Sequence, residues 1–329
     1  MTLALDEKRP RSRAVAAVRR INLAVVVFLA FYLAIGLLQP NYLEPAGMMN
    51  FLRKAAPLAI LASGQIFVLV SGGFDLSVGS LVTLTVIGGS MLTANDPSKT
   101  WWAIAALYGI GLMVGLINGA VVAYLRTPSI IATLGTLLSV NGAAMMWSGG
   151  SPRGYLPDNF RMFGRFVFHD VPIIRIFPIA IVVLAVVAGL ARWGLHGTVF
   201  GRRVFAVGDN AHAAELAGVQ VEFVRLGVFV ISALSAVTAG VMLGGFGGVS
   251  VDVGHGLELQ AIAACVVGGV QLMGGRGTVV GAVAGALTLT ALFTLLTLLG
   301  LPQPLKETAQ GLILIAAVAF GAWRRRRSG

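Results

Sequence analysis

The sequence predicts an all-α polytopic membrane protein, and two observations carry that prediction. Of its 329 residues, 57% are apolar and 11% are charged, whereas a soluble domain carries about 25% charge. Cutting the chain at every charged residue leaves ten uncharged stretches of 16 to 29 residues, and a membrane-spanning helix needs about 20. A soluble globular enzyme is therefore excluded, and about ten transmembrane helices are expected.

Each uncharged stretch predicts one helix, with glycine, proline or charged residues near its ends. In chain order, the predicted helices span 21–38, 55–70, 76–93, 101–125, 129–147, 176–194, 224–246, 258–272, 278–299 and 304–323. Together they form one transmembrane domain over 21–323, between a basic tail at 1–20 and a basic C-terminus at 324–329. Two connections are longer than the others, an outer loop at 148–175 and an inner loop at 196–225.

The distribution of basic residues predicts that both termini are cytoplasmic. An even number of helices puts the termini on one side of the membrane. With the termini inside, sixteen of the 24 Lys and Arg residues lie on the inner side and eight on the outer side, as the positive-inside rule requires. The net charge of +11 is clustered at helix ends and forms no continuous stripe, so nucleic-acid binding is not expected. The expected location is the bacterial cytoplasmic (inner) membrane.

A polar interruption separates the second and third predicted helices. Gly72 and Gly73 can end the second helix, and Asp75 can cap the third by accepting backbone N–H bonds, with Ser77 in its first turn. A charge at bilayer depth costs at least about 2.5–3.5 kcal/mol, so Asp75 should face a cavity, a polar partner or an interface. A structural cap and a position on a translocation pathway are both open, and they are compatible.

A similar interruption recurs in the second half of the chain. Gly72-Gly73-Phe-Asp-Leu-Ser-Val-Gly79 and Gly268-Gly269-Val-Gln-Leu-Met-Gly-Gly275 share the pattern GGxxLxxG at an offset of 196 residues. Related halves with interrupted helices at corresponding positions are typical of transporters, and the interruptions indicate the pathway. Because the chain has 43 glycines, coincidence is the alternative. The candidate pathway residues are Gly72, Gly73, Asp75, Ser77, Gly268 and Gly269.

Small residues also recur within the predicted helices. Glycines lie at positions 109, 111, 115 and 119, and again at 277, 281 and 285. Small residues four apart let helices approach closely in lipid, where van der Waals packing drives their association. The spacing predicts a tightly packed helix bundle and identifies no substrate.

No group of residues in the sequence predicts catalysis or a bound cofactor. There is no GxxxxGK[ST] phosphate loop, so any ATP must be bound and hydrolysed by another chain. Asp252, His255 and Glu258 are metal-ligand types, but their spacing fits no firm template and favours a solvated helix-entry turn. Cys265 is the single cysteine, which excludes a disulfide framework and a cysteine-based metal site. The apolar stretches also lack the Asp/Glu/His relay of a proton-coupled carrier.

The inner loop contains one further predicted helix. Asp209 or Asn210 can cap it and Gly218 can end it, which leaves about two turns at the membrane surface.

These segments together resemble a known family. Ser71–Ser80 reads SGGFDLSVGS and is similar to the GGxDLSVGS signature of the ribose-type permeases of ABC importers, the membrane subunits of bacterial monosaccharide uptake systems. Four more segments resemble that family in the same order, at 127–136, 149–172, 201–219 and 261–281. The resemblance covers roughly residues 50–320 and favours the sugar branch of these permeases.

The resemblance implies a ten-helix permease that works as a dimer of two permease chains, identical or different, surrounded by membrane lipid. A cytoplasmic ABC ATPase would use ATP and dock on the inner loop, and a sugar-loaded periplasmic or extracellular binding protein would dock outside. The permease itself would be non-catalytic and would bind no cofactor and no metal. The expected coupling-helix residues are Asp209, Asn210, His212, Ala213, Ala214, Glu215 and Gly218. His212 stands where the EAAxxxG-like coupling motif usually has glutamate.

Three alternatives remain beside a monosaccharide permease. A related permease could carry a nucleoside, a branched-chain amino acid or a sugar-derived signal. A solitary secondary carrier or channel would work without an ATPase, and an intramembrane enzyme would need a nucleophile–base pair that the sequence does not show. The sequence does not identify the sugar.

Overall fold

A computed structural model describes residues 23–151 and 154–326 of the chain. The basic N-terminal tail, Pro152, Arg153 and Arg327 lie outside the described residues, so the expectations for them stay predictions. The described part contains twelve α-helices and one antiparallel hairpin. The helices are α1 Leu23–Leu38, α2 Pro45–Val70, α3 Val78–Thr93, α4 Thr100–Tyr124, α5 Ser129–Ser148, α6 Asp158–Arg165, α7 Ile179–Gly197, α8 Val199–Leu216, α9 Val221–Gly247, α10 Leu257–Val267, α11 Val279–Leu298 and α12 Gln303–Arg326. The hairpin strands are β1 Val167–Val171 and β2 Arg175–Pro178.

All ten predicted helices are present, and their ends differ from the predictions where charge was used as a boundary. The helix α2 begins at Pro45 and not at residue 55, because Arg53 is accommodated inside it. The Arg53 guanidinium lies 5.7 Å from the centre of the Phe246 ring on α9. A charged residue at the end of a span can therefore continue the helix when an aromatic face and the membrane surface are within reach.

Two connections hold structure that the sequence pattern did not predict. The 148–175 connection contains the short helix α6 and most of the β1–β2 hairpin. In the 196–225 connection, helical structure begins at Val199 and continues to Leu216. Short amphipathic elements outside the bilayer do not produce the long apolar run on which the prediction depended.

Six helices of the described residues are long and apolar enough to cross a membrane, namely α2, α4 with the turn before it, α5, α7, α9 and α11. Three further apolar helices are shorter, since α1 and α3 have 16 residues each and α10 has 11. An 11-residue helix extends about 16 Å, half of the hydrocarbon thickness. The structure thus supports a polytopic all-α membrane protein but does not by itself confirm ten spans.

The helix α9 lies at the centre of the bundle, and the first glycine stripe explains how closely it packs. Its most extensive contact is with α4. A Cβ built on Gly115 would lie 2.8 Å from the Cα of Val230, and one built on Gly119 would lie 2.7 Å from the Cα of Leu226. These separations leave no room for a side chain, so the stripe predicted from spacing is confirmed as a helix–helix contact. Gly109 faces open space and is not part of it.

The second glycine stripe packs α11 against α10. A Cβ on Gly285 would lie 2.8 Å from the backbone nitrogen of Gly268, at the end of α10, and would also contact the carbonyl of Ala264. Gly281 is buried there as well, because a Cβ on Gly268 would contact its carbonyl. Gly268 therefore serves close packing between these two helices.

The contacts between helices repeat in the two parts of the chain. The helix α9 packs on α3 and α4, and α2 packs correspondingly on α10 and α11. The contact of α3 with α5 is matched by a contact of α10 with α12. In this pairing, the segment before α3 (Gly72–Gly79) corresponds to the segment before α10 (Gly247–Gly254). The repeat predicted from the sequence instead paired Gly72–Gly79 with Gly268–Gly275, but Gly268 and Gly269 lie after α10.

Candidate functional site

The interruption between α2 and α3 is a glycine-terminated helix end. Gly73 N–H donates to the carbonyl of Val68 at 2.9 Å, and Gly72 N–H donates to that of Leu69 at 3.0 Å. Gly72 has φ of +87°, a left-handed conformation that glycine adopts without steric cost. The helix α10 ends in the same way at Gly269, where φ is +91°. The helix end predicted at Gly72 and Gly73 is therefore present, whereas α10 ends at Val267, before the residue 272 at which its end was predicted.

Asp75 lies fully buried in the turn before α3, which begins at Val78. Its Oδ1 accepts the backbone N–H of Ser77 at 3.0 Å and the Ser77 hydroxyl at 2.6 Å. Both residues have no exposed surface. Asp75 therefore does not cap α3 as predicted, because the cap position is Ser77, which makes no side-chain capping bond. The carboxylate instead forms a turn before the helix by accepting from the residue two positions on. Neither side chain lines an open cavity in this conformation.

A polar cluster inside the bundle surrounds this turn. Asn118 on α4 donates to the Ser77 hydroxyl at 2.9 Å, and its Oδ1 accepts from Thr136 on α5 at 2.5 Å. Ser232 on α9 donates a long bond of 3.4 Å to Gln65 on α2. The cluster consists of Gln65, Asp75, Ser77, Asn118, Thr136 and Ser232, so four helices converge on the turn.

Two atoms of this polar cluster have no hydrogen-bond partner among the described residues, Asp75 Oδ2 and Gln65 Nε2. Buried polar groups are normally bonded, because an unmade bond costs about 1–3 kcal/mol. The sequence analysis missed Gln65, Asn118, Thr136 and Ser232. Each is an uncharged polar residue within a mostly apolar helix, and other polar residues of the same helices, such as Ser63 and Ser235, look the same in the sequence.

The chain between Gly73 and Asp75 is also held by α5. The Phe74 N–H donates to Ser129 Oγ at 2.9 Å, and the Thr133 hydroxyl donates a long bond of 3.4 Å to the Phe74 carbonyl. Both residues lie in the first turns of α5. The loop is therefore bound on both sides of Phe74 and is not a free gate.

The two interruptions meet, but not through the predicted glycines of the second one. Gly275 N–H donates to the carbonyl of Val70 at 2.9 Å, and a Cβ on Gly274 would lie 3.0 Å from the nitrogen of Gly72. Gly269 has nothing within 4 Å of a built Cβ. The contact between the interruptions thus runs through Gly274 and Gly275.

A cavity of about 320 Å³ lies elsewhere, between α2, α9, α10 and α11. Its polar lining includes Lys54, Gln260, Thr290, Thr294 and Thr297. Leu257 and Gln260 in the first turn of α10 form part of its wall. None of the predicted pathway residues lines it.

The 196–225 connection carries the predicted short helix. The helix α8 is kinked at Asn210, which has φ of −160° and ψ of 103°. Beyond the kink, Asn210 Oδ1 accepts the N–H of Ala213 at 3.0 Å, and the helix ends before Gly218, where φ is +82°. Of the two predicted caps, Asn210 is the one observed. The last turns of α8 form a separate short helix, which we call the surface helix (Ala211–Leu216).

The surface helix presents both charge and apolar surface. His212, Ala213 and Glu215 are exposed, and Leu216 is 78% exposed, while Ala214 is buried beneath them. These exposed side chains leave the surface helix accessible to another protein. Ala214 supports this surface from below and does not form part of it.

Asp252, His255 and Glu258 do not converge on one point. Asp252 and His255 are exposed, whereas Glu258 is half-buried and its carboxylate lies against Gly79. Within the described ranges no three His, Cys, Asp or Glu residues are placed to hold a metal ion. The stretch before α10 consists of turns, as the helix-entry interpretation predicts.

Comparison with known proteins gives consistent results. Residues 47–318 match the family described as "Branched-chain amino acid transport system / permease component". The chain is 35% identical over 299 residues to the Autoinducer 2 import system permease protein LsrC of Salmonella typhi, covering 90% of this chain and 84% of the relative. It is 34% identical over 303 residues to the protein of that name from Escherichia coli (strain K12 / DH10B), covering 92% and 86%. No solved structure matches it.

Proposed function

This chain belongs to the family of branched-chain amino acid transport system permease components, and on that premise we propose that it forms the membrane pathway for a monosaccharide or sugar-derived solute in a bacterial ABC importer. Members of this family are non-catalytic, multi-pass subunits of the inner membrane. The observation that carries the proposal is the near full-length similarity to import-system permeases, joined to an exposed surface helix suited to a partner.

The substrate class is supported by three features. The GGFDLSVGS run resembles the signature of the sugar branch of these permeases, and the relatives are named for import of autoinducer 2. The third feature is the cavity between α2 and α11, where three threonine hydroxyls, an amide and one ammonium group lie among apolar side chains such as Leu58 and Phe293. Such a lining would hydrogen-bond a neutral polyol and contains no acidic group that would trap it. A nucleoside or a branched-chain amino acid is the competing solute, and a solitary carrier is the competing mechanism.

We further propose ten membrane spans with both termini in the cytoplasm. They are α1 to α5, α7 and α9 to α12, and they leave α6 with the hairpin outside and α8 inside. In this arrangement α2 and α9 run in opposite directions, so the repeated contacts between helices relate two inverted halves. Basic residues favour this orientation over the reverse.

The sequences before α3 and α10 support the inverted halves. Gly72–Gly79 reads GGFDLSVG and Gly247–Gly254 reads GGVSVDVG. In the second, Ser250 Oγ accepts the N–H of Asp252 at 3.3 Å, as Asp75 accepts that of Ser77. The final glycines of the two segments touch, because a Cβ on Gly79 would lie 2.7 Å from the Gly254 carbonyl. The halves would thus cross where both broken helices enter the bundle.

The surface helix is the proposed docking site for a separate ATPase subunit, which would bind and hydrolyse ATP. Asn210, His212, Ala213, Glu215 and Gly218 lie at or beside its exposed side, and Ala214 supports it. Asp209, which was also expected in the docking site, lies before the kink with its carboxylate against Gly275 and is therefore outside the surface helix. The outer face, with α6 and the hairpin, would receive the solute-loaded binding protein. A second permease chain, identical or different, would complete the complex in the lipid bilayer. This chain itself would carry no cofactor or metal.

The test is affinity purification of the chain from a mild-detergent extract of its native membrane, followed by mass spectrometry. Co-purification of an ABC ATPase subunit is expected, and ligand screening of an accompanying binding protein would give the solute. The matched control is Ala213→Arg, which adds charge and bulk on the exposed side of the surface helix and should release the ATPase. Recovery of the chain alone, with transport in liposomes that lack ATP, would contradict the proposal.

A further inference from the structure

We propose that Gly208 and Asp209 form a direct mechanical link from the surface helix to both broken-helix loops, the Val70–Gly73 loop and the Gly268–Thr278 loop. This inference rests on the proposed function, in which an ATPase moves the surface helix. It adds the residues that carry the movement into the bundle.

The first contact of this link is between Gly208 and the end of α2. A Cβ built on Gly208 would contact the Val70 carbonyl and would lie 2.6 Å from the nitrogen of Gly275. These two groups are themselves joined, since Gly275 N–H donates to that carbonyl at 2.9 Å. Gly208 therefore packs directly against the hydrogen bond that connects the two loops.

The second contact is between residues 208 and 209 and the Gly268–Thr278 loop. A Cβ on Gly274 would lie 2.7 Å from the Gly208 carbonyl oxygen and 2.9 Å from its Cα. The Asp209 side chain covers Gly275, where any added Cβ would meet its carboxylate. Both loop glycines have positive φ, +89° and +77°. The loop is thus shaped to let the backbone of α8 approach without an intervening side chain.

The kink at Asn210 divides α8 into the surface helix, which is the proposed docking site, and the segment before it, which contacts the two loops. The surface helix lies after the kink and is mostly exposed, whereas Val204 and Val207 before it are buried. Backbone packed on backbone has no rotamer that could absorb a displacement. Only Asp209 and Asn210 separate Gly208 from the surface helix, so a displacement of that helix is passed along two residues of chain to Gly208 and, through its backbone contacts, to both loops.

From the Val70–Gly73 loop, the path continues through bonds that are already described. Phe74 is tied to Ser129 on α5, and Asp75 is tied through Ser77 and Asn118 to α4. The link therefore connects the surface helix to the helices around the polar cluster by an unbroken series of contacts. Such a series of packed and bonded groups is a physical route for coupling.

The test uses the complex of this chain with its ATPase subunit in lipid nanodiscs, and it needs no identified solute. Met273→Cys places a reporter on the Gly268–Thr278 loop, where the side chain is 70% exposed. Cys265 is fully buried and does not compete for a bimane maleimide label. The readout is the change in bimane fluorescence when ATP replaces ADP.

Two variants are compared with matched controls. Gly208→Ala forces α8 away from Val70 and Gly275, and its control is Gly189→Ala, because Gly189 on α7 has nothing within 4 Å. Asp209→Ala removes the side chain over Gly275 without adding atoms, so it reports even if Gly208→Ala does not insert. Its control is His212→Ala, which lies on the surface helix beyond the kink.

We expect Gly208→Ala and Asp209→Ala to keep the ATPase subunit bound and to reduce the ATP-dependent fluorescence change about tenfold. Gly189→Ala should keep both properties, and His212→Ala should weaken ATPase binding first. A full fluorescence change in Gly208→Ala or Asp209→Ala would overturn the link alone. Loss of ATPase binding in Asp209→Ala would also overturn it, by making Asp209 a docking residue. Absence of an ATPase in the unsubstituted complex would instead contradict the proposed function.

Discussion

Replacing Asp75 by alanine should destabilise the protein far more than the same change at Asp96, although the two carboxylates make the same local bonds. Asp96 Oδ1 accepts the N–H of Ser98 at 2.9 Å and its hydroxyl at 2.7 Å. Asp75 makes the same pair of bonds with Ser77. The difference is burial, since Asp96 is in an exposed turn and Asp75 has no exposed surface.

The magnitude follows from what each substitution leaves unpaired. Asp75→Ala leaves the N–H and the hydroxyl of Ser77 without their acceptor inside the bundle, and each buried orphan costs about 1–3 kcal/mol. The expected loss of unfolding free energy is about 2–6 kcal/mol. Removing the buried carboxylate also removes its desolvation cost, which reduces this loss. At Asp96 water replaces the lost acceptor. Asp75→Asn keeps a carbonyl oxygen for both bonds and should fall between these two results.

The assay is the free energy of unfolding in mixed detergent–SDS micelles at pH 7, with uptake in proteoliposomes measured in parallel. The pH matters for the control, because the Ser98 hydroxyl and N–H hold the pKa of Asp96 below its ordinary value. Its carboxylate therefore stabilises the turn above the ordinary carboxyl range and loses that effect as the pH falls through the lowered pKa. Equal stability of Asp75→Ala and Asp96→Ala would refute the structural role. Normal stability with lost uptake would place Asp75 on the pathway.

Three further predictions can be checked with the same preparations. Gly218→Pro and Ala213→Arg should leave insertion intact and separate ATP hydrolysis from uptake; unchanged uptake per ATP in both would contradict docking at the surface helix. Gly115→Leu should cost at least about 1–3 kcal/mol of unfolding free energy by overpacking against α9, whereas Gly109→Leu should be tolerated. Equal Tm values for the two variants would show that the glycine stripe does not set the helix contact. Cys265 should resist maleimide in the folded protein and react after SDS unfolding; rapid labelling before unfolding would show that α10 is accessible.

The positions of the main helices could be predicted from the sequence because the signal is local. A run of apolar residues long enough to cross a bilayer requires only counting, and all ten predicted helices are present. The helix ends that chemistry fixes, at Gly72 and Asn210, were also within reach. The ends set by packing were not, as α2 shows by including Arg53. The hairpin and α6 were missed because neither depends on a long apolar run.

The candidate site was predictable only in part. Asp75 stood out because an acid within an apolar stretch is costly, whereas Asn118 and Gln65 are uncharged polar residues without a pattern. Their contribution depends on four helices meeting at one point, which no window of sequence contains. The repeat register shows the same limit, because paired glycines recur by composition and only the order of helix contacts selects Gly247 as the partner of Gly72.

By itself, the sequence determined the membrane class, the helices, their glycine and asparagine ends and the family, because each depends on residues close together in the chain or on an ordered set of motifs. The tertiary structure alone decided that Gly208 lies between Val70 and Gly275 and that Asp75 is enclosed by polar groups from four helices. The contacts of Gly208 join positions more than 60 residues apart at backbone distance, and they exist only where the absence of a side chain coincides with the crossing of two elements. The contacts of the polar cluster join side chains of separate helices, such as those of Gln65 and Ser232. Local chemistry sets which residues can make such a contact, and the packing of the whole bundle sets which of them do.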